Sequence, residues 1–282
     1  MRIARRTALV LLMPALGFAL VVYLVPLAIY LVNALHAFRD GRIVPIWTLE
    51  TAWRFVTDPF SYRVIGASLR LSVTVTALAV GIGYPLAYAL HTRVVTPWGR
   101  VLASLFLFSP LVVSVVVRTY GWLILLADQG LVNTVLRKMG IVQAPLALLF
   151  NLTGVVISLT HILLPFAVFP IYSVLGRIDW SLREAACDLG ADWRQTFLRI
   201  TLPLSMPGVV SASLICFTLA LSAFVTPQLL GGGRVQVLPL AVYDSTVEIN
   251  WPAGAVAATA LLALSMAAVW TLNRALRRLP SL

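Results

Sequence analysis

Lysine is nearly missing from this chain. Only one of its 21 basic residues is a lysine, Lys138, in the context Arg137-Lys138-Met139. A phosphate-cradling P-loop needs a glycine-rich turn that ends in Lys-Ser or Lys-Thr. The chain therefore holds no ordinary site for nucleotide hydrolysis. Charge of either sign is scarce: 11% of the 282 residues are charged, against roughly 25% in a soluble domain. Cysteine is limited to Cys187 and Cys216, which fall in a loop and a span, so a disulfide is not expected. His36, His91 and His161 are far apart and show no metal-ligand spacing. Neither GxSxG nor HExxH occurs. These absences argue against a motor ATPase, a zinc enzyme and an α/β-hydrolase.

What the chain has is apolar surface. Sixty per cent of its residues are apolar, and a water-soluble core of this size cannot hide that excess. The net charge is +11. A basic balance also suits nucleic acid, but here the charges lie between apolar runs rather than in a patch, the pattern of membrane topology. No nucleic-acid partner is expected.

A bilayer core needs about 20 apolar residues per helix. Six runs qualify: 8–35, 65–90, 101–126, 146–175, 207–230 and 252–272. The first follows Arg2, Arg5 and Arg6, the start of a signal peptide too. The run is too long for a signal core, and no small-residue cleavage site follows it. Prolines 14, 26, 85, 110 and 165 fall inside these runs, where membrane helices tolerate them. With the N-terminus inside, twelve of the 21 basic residues fall on the inner side, among them Arg93, Arg100, Arg177, Arg183, Arg194, Arg199, Arg274, Arg277 and Arg278. Both termini are then cytoplasmic. Trp53, Trp122 and Trp251 fall near the outer interface. The outer loop at 36–64 is long and polar, and Asp128–Met139 reads as a short interfacial helix.

The segment between the fourth and fifth runs, 178–204, is charged and punctuated. Ser181 and Glu184 stand at capping-box spacing, and Asp179 is a second candidate cap. Gly190 is placed to end the first helix in a left-handed conformation. Asp192 and Gln195 repeat the cap spacing and start a second helix. Pro203 and Pro207 would mark its end. Ala185 and Ala186 would give the first helix a bare face. The residues alone leave two readings open: a knob that meets a partner, or an amphipathic pair lying on the membrane.

The series Glu184-Ala185-Ala186, Gly190, Ile200, Leu202-Pro203 resembles the EAA signature of permease subunits in binding-protein-dependent ABC importers, with every signature residue at the expected spacing. The resemblance implies an all-α integral membrane fold of six helices with a cytoplasmic helix-turn-helix coupling loop. It implies that Glu184, Ala185, Ala186 and Gly190 make or shape the contact with a separate ATPase, and that Ile200, Leu202 and Pro203 fix the exit into the fifth span. Val117–Trp122, His161–Phe166 and Pro227–Gly232 are similar to stretches of the spermidine/putrescine branch, the PotB-like permeases.

An importer of that kind takes its work from ATP closure in partner subunits, with ATP and Mg on the ATPase and no cofactor on this chain. Expected partners are two ATP-binding subunits, a second and similar permease, a periplasmic solute-binding protein and the lipid bilayer. Expected localisation is the bacterial inner membrane.

A polyamine path should offer carboxylates or aromatic faces. Candidates are Tyr120, Trp122, Asp128, Tyr243 and Asp244, with Trp251 and Glu248 beside them. Each also suits an interfacial anchor or a loop solubiliser. Arg70 and Arg118 lie in or near spans, where charge marks function unless it pairs or snorkels to the headgroups. Arginine in the path would favour an anion, so an amino-acid derivative, an opine or a phosphonate is the competing cargo. Mid-span His161 reads as a helix–helix hydrogen bond. An ion-coupled secondary transporter would need acidic ligands inside spans, and none is evident. His161 alone does not make a membrane enzyme, and a scaffold needs no EAA series.

Overall fold

The computed structural model describes residues 2–39, 41–94, 96–179 and 181–276. Arg277 and Arg278, counted above toward the inner side, lie outside them, as does Trp180 in the loop. Helix α1 is Arg2–Asn33, followed by a hairpin of β1 His36–Arg39 and β2 Arg42–Trp47 and by α2 Glu50–Thr57. Then come α3 Pro59–Arg93, α4 Pro97–Val112, α5 Val115–Leu126, α6 Leu131–Lys138 and α7 Leu152–Leu175. The loop region holds α8 Ser181–Asp188, α9 Trp193–Thr196 and a wide π turn at Phe197–Thr201. The chain finishes with α10 Leu202–Leu221, α11 Val225–Leu230, α12 Leu238–Val247 and α13 Trp251–Leu276. Six helical stretches are long and apolar enough to cross a bilayer.

Two expected runs are built differently. The run at 101–126 is two helices, α4 and α5, joined by extended Val113 and Ser114. Pro110 supplies no N–H to Phe106, and the Ser109 hydroxyl takes up that carbonyl at 2.8 Å. The stretch long and apolar enough to cross a bilayer here is Val115–Lys138, with Val101–Val112 as a shorter apolar helix. The run at 207–230 is also divided: α10 ends at Leu221, and α11 starts after Ser222–Phe224. Pro227 stands in the first turn of α11, where its missing N–H has no partner to lose. The polar segment at 36–64 carries the hairpin and α2, where Glu50 pairs with Arg54 at 2.6 Å and Arg39 at 3.4 Å.

Backbone contacts divide the chain into two compact units. The first comprises 1–62 and 241–260. Its long helix α1 is apolar and exposed almost all round, with Phe18 72% exposed. Such a surface is stable only against lipid or another chain. The second unit, 63–240 with 261–282, holds the core. Its hub is α7, which buries Val155, Leu159, Leu163, Ala167, Ile171 and Leu175. The Asn151 side chain caps it by accepting from the Gly154 N–H at 3.1 Å. Small residues let the helices approach: a Cβ on Gly208 of α10 would stand 3.0 Å from the Pro170 carbonyl of α7. The start of α12 is tied into the same core, because the Leu238 N–H donates to the Ser68 hydroxyl of α3 at 2.7 Å.

Candidate functional site: a helical knob and a cavity with one arginine

The knob is a short chain of local decisions. The Asp179 carboxylate accepts from the Ser181 N–H at 3.0 Å and opens α8. Those bonds from Ser181 hold its carboxyl below the usual carboxylate range. Asp179, not Ser181, is therefore the cap. Glu184 is exposed in the first turn and makes no cap contact among the described residues. Helix α8 ends in a Schellman motif: the Ala191 N–H reaches the Ala186 carbonyl and the Gly190 N–H the Cys187 carbonyl, both at 2.9 Å. Gly190 takes φ +82° for this, the left-handed region where a side chain is strained. Asp192 and Gln195 then close a full capping box.

The second helix does not stop at the prolines. It runs through the π turn into α10, a continuous stretch from Trp193 to Leu221. Pro203 cannot donate, and its ring crowds the carbonyl four residues back. The wide turn at Phe197–Thr201 absorbs that conflict, with the Leu202 N–H reaching back to the Phe197 carbonyl. Ile200, Leu202 and Pro203 thus sit at a helix continuation rather than at a boundary.

The two alanines also part company. Ala185 is exposed, whereas Ala186 is buried. The exposed apolar side chains of the knob include Leu182 and Ala185 of α8 and Leu189 just after it, with Leu189 89% exposed. They stand beside exposed Glu184 and Asp188, and Trp193 of α9 is exposed as well. Inward, Arg183 is only 8% exposed, and its guanidinium lies 5.7 Å over the Tyr88 ring of α3. The Phe197 ring meets Tyr88 edge-on at 5.2 Å and Tyr84 at 5.9 Å. The Tyr84 hydroxyl donates to Ser205 at 2.8 Å, and Ser205 donates to the Leu202 carbonyl at 2.9 Å. Arg183, Tyr84, Tyr88, Phe197 and Ser205 carry no pattern that marks them in the sequence, because their partners across this seam are 95 to 121 positions away.

The second feature is a cavity of about 460 Å³ walled by α5, α7 and the break between α10 and α11. Leu111, Leu163, Phe166 and Phe224 are among its apolar walls, and Arg118 is its one charged wall residue among the described residues. Among the described residues, neither Nε nor Nη1 of Arg118 has a hydrogen-bond partner, although both atoms are buried. Thr226, also in the wall, lies 3.4 Å from Thr119. The break that shapes this cavity was signalled only by Pro227.

The other expected path residues do not gather there. Trp122 is half-buried, and its indole N–H donates to His161 Nδ1 at 3.3 Å, the helix–helix bond expected of that histidine. Tyr120 is exposed. Asp128 is exposed in the turn after α5. Beside that turn, buried Asn133 donates to the Ala127 and Leu146 carbonyls and accepts from the Leu146 N–H at 2.8 Å, which ties α6 down. Tyr243 and Asp244 belong to α12, in the first unit. Burial and the neighbouring Glu248 push the Asp244 carboxyl up. No group of three or more metal-binding side chains occurs among the described residues.

Six helical stretches able to cross a bilayer, a cavity between helices of the second unit and a structured, partly apolar knob suit one class, a multi-span transport permease. Residues 76–279 match the family described as the binding-protein-dependent transport system inner membrane component, and the chain belongs to that family. Among curated relatives, the spermidine/putrescine transport system permease protein PotB of Haemophilus influenzae is 34% identical over 85% of this chain and 85% of that protein. PotB of Escherichia coli strain K12 is 32% identical over 83% of this chain and 85% of its own. Among solved structures, a bacterial ABC transporter involved in the import of the acidic polysaccharide alginate covers 99% of this chain and 98% of its own, at TM-score 0.81 and 19% identity; that likeness speaks for the fold alone. The chain is thus a membrane permease subunit of a binding-protein-dependent ABC importer, a transport component and not an enzyme.

Proposed function

We propose that the chain is a permease subunit for polyamines of the spermidine/putrescine kind. The observation that carries this reading is similarity to the two PotB proteins at 32–34% identity over most of both chains. The cargo passes from a periplasmic solute-binding protein into a path formed with a second, distinct permease. Two ATP-binding subunits, holding ATP and Mg, supply the work. The membrane is the bacterial inner membrane, and both termini face the cytoplasm. The α8–α9 knob is the element that meets the ATPase, with Glu184, Ala185 and Gly190 shaping the contact and Ala186 seating α8 on the chain. Its exposed Leu182–Ala185–Leu189 face suits a cleft lined by apolar groups, because an unpacked apolar stripe gains from burial.

A second cargo reading has one specific observation behind it. Arg118 lines an apolar cavity, and its buried Nε and Nη1 have no hydrogen-bond partner among the described residues; a guanidinium binds carboxylate or phosphonate in a fork. An amino-acid derivative, an opine or a phosphonate would satisfy it. Labelled spermidine and putrescine should enter proteoliposomes that hold the full importer and its binding protein, and excess opine or phosphonate should not compete. Saturable uptake of the anion, with none of the polyamine, would reverse the assignment.

A further inference from the structure

The loop is joined through the chain to two helices, α7 before it and α10 after it. Helix α3 has no such link, since its inner end lies about a hundred residues upstream. Yet the largest side chains beneath the knob all engage α3. Arg183 extends inward from α8, is nearly fully buried, and stands 5.7 Å over Tyr88. Phe197, at the mouth of the π turn, sets its edge against both Tyr84 and Tyr88. Tyr84 then closes the circuit by donating to Ser205, one turn into α10. An arginine on an exposed eight-residue helix would ordinarily extend into water, where its charge is best solvated. Here it spends that solvation on a ring face, which strengthens as water is excluded.

We infer that this seam is a third transmission line. Arg183 and Phe197 grip Tyr88 and Tyr84, so that displacement of α8 moves the inner end of α3 together with α10. The π turn fits such a role. A single wide turn is a point where a helix changes direction at low cost, and Phe197 sits at its first position. Without the seam, motion of α8 would bend the helix at that turn and leave α3 behind. Tyr84, Tyr88, Arg183, Phe197 and Ser205 are positioning residues in this scheme, and none of them touches cargo. The inference rests on the reading of α8 as the motor-facing helix.

The test uses the whole importer in proteoliposomes and reads cargo transported per ATP hydrolysed. Arg183→Met and Tyr88→Leu should each lower that ratio about fivefold, the fold-change that a partly desolvated cation–π contact corresponds to. ATPase subunits should still copurify. Arg183→Lys and Tyr88→Phe keep a cation and a ring face, so they should keep the ratio within about twofold. The double variant Arg183→Met/Tyr88→Leu should be no worse than the poorer single, because both remove one contact. An unchanged ratio in the singles, uptake and hydrolysis falling in proportion, or multiplying losses in the double would each overturn the seam. Where Tyr88→Leu fails to assemble, the Arg183 pair decides by the same ratio. Glu184→Arg separates the underlying reading: if it leaves both ATPase copurification and uptake intact, the docking face lies elsewhere, whatever the seam does.

Discussion

The knob and the cavity are built from opposite kinds of information. Every cap and turn in the knob is settled within five residues: Asp179 on Ser181, Ala191 on Ala186, Asp192 on Gln195. The cavity needs residues from Leu111 to Thr226, on five helices that meet only in the folded chain. Local punctuation therefore writes a contact surface into the sequence, and tertiary packing writes a binding space that the sequence shows only in fragments. It follows that single changes in the knob should act sharply on coupling. Changes in the cavity should act on cargo and leave the frame standing.

The largest effect is expected at Glu184. Its carboxylate is exposed and makes no cap contact among the described residues, so Glu184→Arg should leave folding and insertion as they are while uptake drops to background. Gly190→Leu should do the same by another route. A Cβ there would meet no atom within 4 Å, so the penalty is the left-handed backbone alone, about 1–2 kcal/mol, spent on undoing the turn between the two helices. Equal amounts of protein in the membrane with no transport would mark the knob as a coupling surface. Loss of the protein itself would make it a folding element and erase the contrast with the cavity.

A smaller effect is expected at Arg118. Removing a guanidinium whose buried Nε and Nη1 have no hydrogen-bond partner among the described residues should not lower the thermal midpoint of the purified complex, since apolar replacements of buried charge are often neutral or stabilising. With a polyamine cargo, Arg118→Met removes a like charge from the wall, and the half-saturating concentration should fall about fivefold, the equivalent of about 1 kcal/mol. A rise instead would point to an anionic cargo. A drop of several degrees in the midpoint would mean that a carboxylate from elsewhere in the complex already pairs with this arginine.

These two positions also show where the sequence was legible. Six spans followed from apolar runs alone, and the knob followed from caps and one glycine. Arg118 was visible as an intramembrane charge, but its surroundings were not. The cavity depends on a break at Ser222–Phe224, and an unbroken apolar run conceals a break unless Pro227 is taken as a helix start. Pro203 misled in the other direction. Proline normally ends a helix, but one wide turn kept the ladder going. The two alanines were misjudged for a geometric reason: adjacent residues on a helix point about 100° apart, so both could not share one bare face. The seam beneath the knob was invisible because Tyr84 and Tyr88 lie in an apolar run that reads as plain membrane helix.

Asp192 should matter less than Arg118. Asp192→Ala opens the capping box and should cost about 1 kcal/mol of local stability. Because the same helix continues into α10, the loss should stay at its first turn. Limited proteolysis should speed up between Gly190 and Gln195 while the thermal midpoint of the complex holds. A fall in the midpoint would show that the knob and the core melt as one unit, which would break the distinction between local and long-range construction.

The smallest effect, and the finest probe of that distinction, belongs to Asp179. Its carboxyl is held below the ordinary value by bonds from Ser181. A depressed folded value means that the charged cap stabilises the start of α8 at every pH above the unfolded carboxylate value of about 3.9. The contribution is lost as the pH falls through the lower folded value. Near neutral pH the cap is fully present, so acidification to about pH 5 should change nothing at this helix end. Below about pH 4 the amides of Ser181 and Leu182 should exchange faster than their intrinsic rates allow for. Asp179→Asn keeps an acceptor and removes the titration. Its exchange should therefore be flat across the range where the native loop loosens. An acid response that persists in the Asn variant would assign the loosening to another carboxylate in the loop, and with it the claim that one residue starts this helix would fall.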